Sequence, residues 1–188
     1  MVETGKESLE EEYSWIHEME DVKSKKYLGD ILSCDGKNVK NITERKNRGI
    51  GIVTQIMTKL EDICLGKYYF KVAIILRNSL LISSMLTNAE AWYNLRKSDI
   101  EELESVDESF LRRILDTPIS TPKDILYLEM GVVTIMYIIK IRRLNILQFI
   151  LKEEEESLVH SFLKVRLQHP SAGDWGQSVK EDVDDLDI

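Results

Sequence analysis

The chain has 188 residues, of which 43% are hydrophobic, and this is enough for one globular domain with a core of its own. Its longest apolar runs are interrupted by charged residues, which excludes them as membrane spans. Two cysteines without a CxxC spacing, and an acidic N-terminal segment unlike a secretory signal, predict an intracellular protein with free thiols, without distinguishing nucleus from cytoplasm.

The net charge of −8 is distributed unevenly along the chain. Residues 1–22 carry a net charge of −7, residues 23–77 of +7, residues 78–149 of −2 and residues 150–188 of −6. A phosphate backbone responds to the local potential and not to the total charge. Residues 1–22 are therefore expected to be acidic and partly disordered, and residues 23–77 are the place to look for a phosphate-binding surface.

A short β element is predicted within residues 23–38. Residues 26–32 form a short, β-compatible apolar run that contains Gly29, and Asp35-Gly36 after it indicates a turn. The segment Ile16 to Val22 is the expected hairpin partner of this strand. Lysines flank the element on both sides.

From Val39 the hydrophobic period becomes helical and predicts a long helix with an apolar face. A stripe of basic residues is predicted off that face, with further lysines just before it. The candidate phosphate-binding cations are Lys37, Lys40, Arg45, Arg48 and Lys59. The same pattern also fits a solvated helix face with no partner.

The rest of the chain is predicted to be helical. Residues 68–86 are apolar nearly all round and should be central, and residues 134–152 should be sandwiched between neighbours. Between them, a helix starting at a capping box, Ser98 to Glu101, and a short helix ending at Gly131 are expected. The predicted core face of the first of these helices consists of Ile100, Leu103, Val106, Phe110, Leu111 and Ile114. Two amphipathic helices follow, at residues 158–167 and around residues 175–186. The predicted fold is mainly α, a bundle of about six or seven helices with a short N-terminal β-strand or hairpin.

No complete active site is visible in the sequence. Val183-Asp184-Asp185 resembles the metal-binding turn of template-dependent polymerases, but it lies in a helical pattern and is better explained as a charged helix end. The three histidines match no zinc spacing, and no glycine-rich phosphate loop occurs. We therefore predict no catalytic residue, no metal ligand and no cofactor.

Several segments together resemble one protein family. "KYLGDILSCDGKN", followed by "NITERKNRGIGIV", resembles the region just beyond the palm in reverse transcriptases of non-LTR retrotransposons. "RNSLLISSMLTNAEAWYNL", "LRRIL", "STPKDILYLEMG", "RRLNILQFIL" and "GDWGQSVKEDVDDL" follow in the order such proteins show. The resemblance covers roughly Val22 to Ile188.

The resemblance implies a primer grip at Tyr27, Leu28 and Gly29, followed by a helical thumb. It divides the chain into an acidic N-terminus (1–22), a primer-grip-like β element (23–38), a thumb-like three-helix region (39–117) and a C-terminal helical region (118–188). The implied partner is an RNA or RNA–DNA duplex, bound by its backbone.

In that family the catalytic aspartates that hold Mg²⁺ lie in a palm region upstream of the primer grip. The residues before Tyr27 in this sequence contain no aromatic-x-Asp-Asp motif. We therefore expect a non-catalytic fragment or remnant of a reverse transcriptase. The alternative is a helical protein-interaction or scaffolding module, with an unknown protein partner and no role in nucleic-acid binding.

Overall fold

The computed structural model describes residues 23–27, 29–62, 66–154, 156–169, 171 and 173–186. The predicted acidic, partly disordered segment 1–22 lies outside the described residues, as do Leu28 and Cys64. Cys34 is a free and exposed thiol. Within the described residues the chain forms seven helices and one two-stranded antiparallel hairpin, which confirms the predicted mainly α bundle.

The elements follow one another in a simple order. The hairpin strands are β1 (Ser24–Tyr27) and β2 (Asp30–Ser33). The helices are α1 (Val39–Asp62), α2 (residues 69–85), α3 (Lys97–Leu115), α4 (Lys123–Met130), α5 (Ile135–Leu151), α6 (Leu158–Gln168) and α7 (Trp175–Asp185). Two short 3₁₀ turns, Gly66–Tyr68 and Ala89–Ala91, precede and follow α2.

The hairpin turn falls inside the segment predicted as one strand. Lys25 pairs with Leu32 and Tyr27 with Asp30, so the chain reverses between Tyr27 and Asp30. Gly29 has φ +89°, a left-handed conformation that glycine adopts without steric cost. The predicted strand 26–32 is therefore divided between two strands that pair with each other, and its expected partner, Ile16 to Val22, lies outside the described residues. The turn expected at Asp35-Gly36 is present, with the Gly36 N–H donating to the Ser33 carbonyl at 3.0 Å.

One hydrophobic core joins α1 to α5. α3 packs against α1, α4 and α5. Of its six predicted core positions, Ile100 is partly buried and five are buried: Leu103, Val106, Phe110, Leu111 and Ile114. α3 starts one residue before the predicted capping box. The Asp99 carboxylate accepts from the backbone N–H of Arg96 at 3.0 Å, so the N-cap is Arg96, two positions before Ser98. The proposed division of the chain at residue 117 stays a prediction.

Gly49 of α1 lies in close contact with the core. A Cβ atom on Gly49 would lie 2.5 Å from Met85 Sδ and 3.0 Å from Val106 Cγ1. Both neighbours are buried. Gly49 therefore permits close contact of α1 with α2 and α3, and no larger residue fits without movement of the neighbours.

α2 contains a π-helical segment. It is α-helical over Tyr69–Leu76, π-helical over Arg77–Ile82 and α-helical again over Ser83–Met85. At the start of the π segment, Arg77 donates from Nε and Nη2 to the two carboxylate oxygens of Asp107 on α3, at 2.7 and 2.5 Å. Both side chains are buried, so this bidentate pair holds α2 against α3 inside the core.

Two predictions of helix burial hold only in part. α2 contributes buried residues to the core, but its Phe70, Ile75 and Leu80 are each about half exposed. α5 lies between neighbours, with contacts to α3, α6 and α7, but it leaves Tyr137, Ile141 and Phe149 about half exposed or more, among others. Each helix packs through part of its circumference, so a side that is apolar in sequence faces outward. None of the described helices combines the length and hydrophobicity needed to cross a bilayer.

Candidate nucleic-acid interface

Arg45, one of the predicted phosphate-binding cations, lies inside the protein. Its side chain is 1% exposed. Its Nη2 donates to the Gly29 carbonyl and to Asp30 Oδ1, each at 2.8 Å, and its Nη1 donates to the Ser84 carbonyl at 3.0 Å. The assignment of Arg45 to a nucleic-acid surface is wrong, because its guanidinium is buried and already donates to acceptors of the hairpin and of the end of α2.

The Asp30 carboxylate accepts hydrogen bonds from several side chains around it. Besides Arg45, its carboxylate accepts from Asn41 Nδ2 at 2.9 Å and from Asn88 Nδ2 at 3.0 Å. Burial would by itself raise the pKa of Asp30, but the hydrogen bonds from Arg45, Asn88 and Asn41 outweigh burial and hold the pKa below its ordinary value. Asp30 therefore remains ionised and anchors β2 to α1 and to the segment after α2.

Gly29 also takes part in this anchor. Its carbonyl accepts from Arg45, which turns that polar group toward the protein. The close backbone approach predicted at Gly29 is thus made by an internal guanidinium. Sequence reasoning missed Asp30 and Asn41, although an acidic residue within a short apolar strand is a usable sign of a buried partner.

The other predicted cations lie on the surface. Lys37, Lys40, Arg48 and Lys59 are all exposed. Lys40 Nζ lies 3.1 Å from Ser24 Oγ at the start of β1, so this part of α1 adjoins the hairpin. Lys37 makes only a long contact of 4.0 Å with Asp35. Lys59 lies 11 residues beyond Arg48, about 16 Å farther along the helix axis.

One carboxylate on α1 reduces the positive charge of this surface. Glu44 Oε1 lies 2.5 Å from Lys26 Nζ and 3.3 Å from Arg48 Nη2. The hydrogen bond from Lys26 is the main reason that the pKa of Glu44 is lowered. Lys26 and Arg48 are thus held at adjacent positions on the hairpin and on α1, each with part of its charge compensated.

The outer face of the hairpin carries Tyr27. Tyr27, Lys25 and Leu32 share one face of the two-stranded sheet, since Lys25 is opposite Leu32 and residues two apart point the same way. The Tyr27 side chain is 63% exposed and Leu32 is 59% exposed. Of the predicted primer-grip residues, Tyr27 is therefore accessible, Gly29 turns inward and Leu28 lies outside the described residues.

We call these exposed residues of the hairpin and of α1 together the basic surface. It consists of Lys25, Lys26, Tyr27, Lys37, Lys40 and Arg48, with Lys59 farther along α1. Two carboxylates, Asp35 and Glu44, lie within it. In the part of the chain that the structure describes, no group of three or more His, Cys, Asp or Glu side chains is placed to hold a metal ion.

Comparison with known proteins assigns this chain to no family. No protein-family model, no curated protein and no solved structure matches the chain. The resemblance to reverse transcriptases stays a prediction, and a function must be argued from the residues themselves.

Proposed function

We propose that the basic surface binds the sugar–phosphate backbone of an RNA or RNA–DNA duplex, without sequence preference and without a chemical step of its own. The proposal follows the sequence resemblance to a reverse-transcriptase primer grip and thumb. Its main structural support is that exposed cations of α1 adjoin the hairpin, through the Lys40–Ser24 and Lys26–Glu44–Arg48 contacts, and that the hairpin also carries the exposed Tyr27.

The chemistry of this surface suits phosphates. Lysine and arginine side chains neutralise phosphates and release counterions, a contribution that is independent of base sequence. A duplex strand carries one phosphate per about 3.4 Å of axis, so the span of about 16 Å from Arg48 to Lys59 would follow several phosphates. Tyr27 provides a ring for stacking on an exposed base or sugar.

The internal anchor supports the same role. Because Arg45 and Asp30 fix the hairpin to α1, Lys25 and Tyr27 are held at a defined position relative to Lys40 and Arg48. Preorganised cations lose less side-chain and segment entropy on binding than cations on a mobile segment.

The test compares two double charge reversals in the full chain. Lys25→Glu/Lys40→Glu changes the basic surface, whereas Lys152→Glu/Lys180→Glu makes the same change in charge at exposed positions after the core helices. Binding of a labelled RNA–DNA hybrid is measured by fluorescence anisotropy over a range of salt concentrations. We expect the first variant to bind about tenfold more weakly or worse, with a shallower salt dependence by about one phosphate contact per lysine, and the control to keep most of its affinity.

Two results would overturn the proposal. One is no binding of the hybrid by the unaltered chain at low salt. The other is an equal loss of affinity in both double variants, which would indicate an effect of net charge alone. Arg45 is left out of the test because its reversal would place an uncompensated charge in the protein interior.

A protein-interaction module is the second candidate. It is favoured by large apolar side chains that remain exposed on α6, among them Leu158 at 85% and Phe162 at 60%. An exposed apolar patch marks an interaction surface more often than a free one. Whether the acidic segment 1–22 covers the basic surface, which would favour this second function, concerns residues outside those described.

A further inference from the structure

We infer that α6 mediates association of two copies of this chain, in an antiparallel arrangement about a twofold axis. The inference is independent of the proposed nucleic-acid binding, because α6 lies apart in sequence from the hairpin and α1. It begins from an apolar stripe with no covering element among the described residues.

The stripe runs along one side of α6. Leu158, Phe162 and Val165 are spaced i, i+4 and i+7 and so share one face of the helix. Their exposed fractions are 85%, 60% and 58%. The opposite side of α6 is the one that packs on the protein, where Leu163 is 3% exposed. α6 is thus apolar on two sides and uses only one of them within its own chain.

A groove lies beside the stripe. It has a volume of about 650 Å³. Its wall is formed by side chains of α5 and α6, among them Ile146, Ile150, Val159 and Phe162, together with residues of the segments 90–93 and 173–176. Phe162 belongs to both the stripe and the groove wall. The region therefore has a protruding part, led by Leu158, and a concave part that an apolar side chain of a second copy would fill. A surface that contains both is suited to self-association, since a twofold contact uses the same patch on both copies.

The charges at the ends of α6 select the antiparallel orientation. Glu153, Glu154 and Glu156 are exposed just before the helix, and Lys164 is exposed in its second half. An antiparallel pairing at the level of His160 brings Leu158 of one copy to Phe162 of the other, and Glu156 of one copy to Lys164 of the other. A parallel pairing would instead place the three glutamates of both copies together. Opposed helix dipoles favour the antiparallel arrangement as well.

Arg166 adds to this charge pattern without being freely available. Its Nη1 lies 3.5 Å from Asp174 Oδ2, and its guanidinium lies 5.2 Å from the centre of the Phe162 ring. It therefore holds the Phe162 ring at the boundary between stripe and groove. Lys164, which has no ion pair within the described residues, is the cation left for the second copy.

The experiment measures the mass of the full chain by sedimentation equilibrium over a range of concentrations. We expect a dimer, and we expect Leu158→Glu and Phe162→Asp each to weaken it about tenfold or more. Leu128→Glu is the matched control, because Leu128 is 82% exposed on α4, away from the stripe. Circular dichroism shows whether each variant keeps its helical content, and Leu158→Glu is the safer variant because an acidic residue is favourable in the first turn of a helix.

A second measurement tests the orientation. Glu156→Lys and Lys164→Glu should each weaken the dimer, and the chain with both substitutions should recover it, because the exchanged charges again face each other across the axis. A monomer at every concentration would overturn the inference, as would equal weakening by Leu128→Glu. An assembly larger than a dimer, or no recovery in the double variant, would overturn the twofold antiparallel arrangement.

Discussion

Arg45 Nη2 lies 2.8 Å from Asp30 Oδ1, and this contact joins the hairpin to α1. The same guanidinium also donates to Ser84 at the end of α2. Three segments that are distant in sequence therefore meet at one buried arginine. An arginine suits this place, since its planar fork of five donors satisfies several acceptors at once.

Replacing Arg45 should destabilise the protein strongly. Arg45→Met removes the guanidinium and leaves Asp30 and three backbone carbonyls, those of Gly29, Ser84 and Thr87, with fewer donors. We expect the free energy of unfolding to fall by about 3 kcal/mol, as for other broken buried pairs, in a urea titration followed by circular dichroism. Arg48→Met is the control, because Arg48 is 40% exposed and pairs only with Glu44, and it should change stability by no more than about 0.5 kcal/mol. Equal effects of the two substitutions would show that the Arg45 network does not hold the fold.

The Asp30 network should also be sensitive to acid. The pKa of Asp30 is lower in the folded protein than its ordinary value of 3.8, so folding favours the ionised form. Its contribution is complete above the unfolded pKa and is lost as the pH falls through the folded pKa, so the stability gap between the unaltered chain and Asp30→Asn should be widest near neutral pH and should narrow below about pH 4. Urea midpoints of both proteins at a series of pH values measure this gap. A gap that is constant or that widens in acid would contradict the assignment.

Two glycines of α1 should respond oppositely to alanine. Gly49→Ala places a methyl group 2.5 Å from the buried Met85 Sδ, and overpacking of this kind costs about 1–3 kcal/mol. A Cβ at Gly51 meets nothing within 4 Å, so Gly51→Ala should stabilise the protein by about 0.5–1 kcal/mol through helix propensity. Thermal melts of the two variants, which differ by two positions on the same helix, test this difference in sign. If Gly49→Ala were also stabilising, the contact of α1 with Met85 would be looser than described.

The buried pair between α5 and α7 should be replaceable by apolar residues. Arg143 Nε lies 3.2 Å from Asp182 Oδ2, with 8% and 6% of their side chains exposed, but the two atoms are not aligned as a hydrogen bond. Burial lowers the pKa of Arg143 and raises the pKa of Asp182, so for each group desolvation outweighs the attraction of the other.

We therefore expect Arg143→Met/Asp182→Leu to be neutral or to stabilise the protein by up to about 4 kcal/mol, whereas Arg143→Met alone should destabilise it by leaving one buried charge. A double-mutant cycle with urea denaturation measures both. Destabilisation by the double replacement that exceeds that of the single one would show that the pair contributes net stability.

The helices and their core faces were predictable because they follow local rules. Leu103, Phe110 and Ile114 repeat with helical spacing and are buried as expected. The chain reversal at Gly29 was harder to predict, because the apolar residues on both sides of this glycine fit the pattern of one continuous strand. The turn at this glycine divides the segment into two strands that pair with each other.

Arg45 shows the limit of a helical projection for the candidate site. At 100° per residue it lies 20° from the line of Ile56, a core residue, and only 60° from that of Arg48, which is exposed. The sequence period places it at the boundary of the apolar face without deciding which way it turns. That decision depends on Asp30, which reaches it only through the hairpin.

The apolar sides of α2 and α5 show a different limit. Apolar residues in sequence indicate a surface that gains from being covered, but they do not indicate which element covers it. Ile75 on α2 and Phe149 on α5 remain more than half exposed. Their burial was predicted from hydrophobicity alone, and no described element of the same chain provides it.

The π-helical segment of α2 determines the directions in which the residues after it point. Because a π turn contains more residues than an α turn, removal of one residue between Arg77 and Ile82 would turn the rest of the helix by about 100°. Ser84, Thr87 and Asn88, which hold the Arg45 and Asp30 side chains, all follow that segment. The direction of the N-terminal hairpin is therefore determined by the residue count of a helix turn more than 40 positions later in the chain.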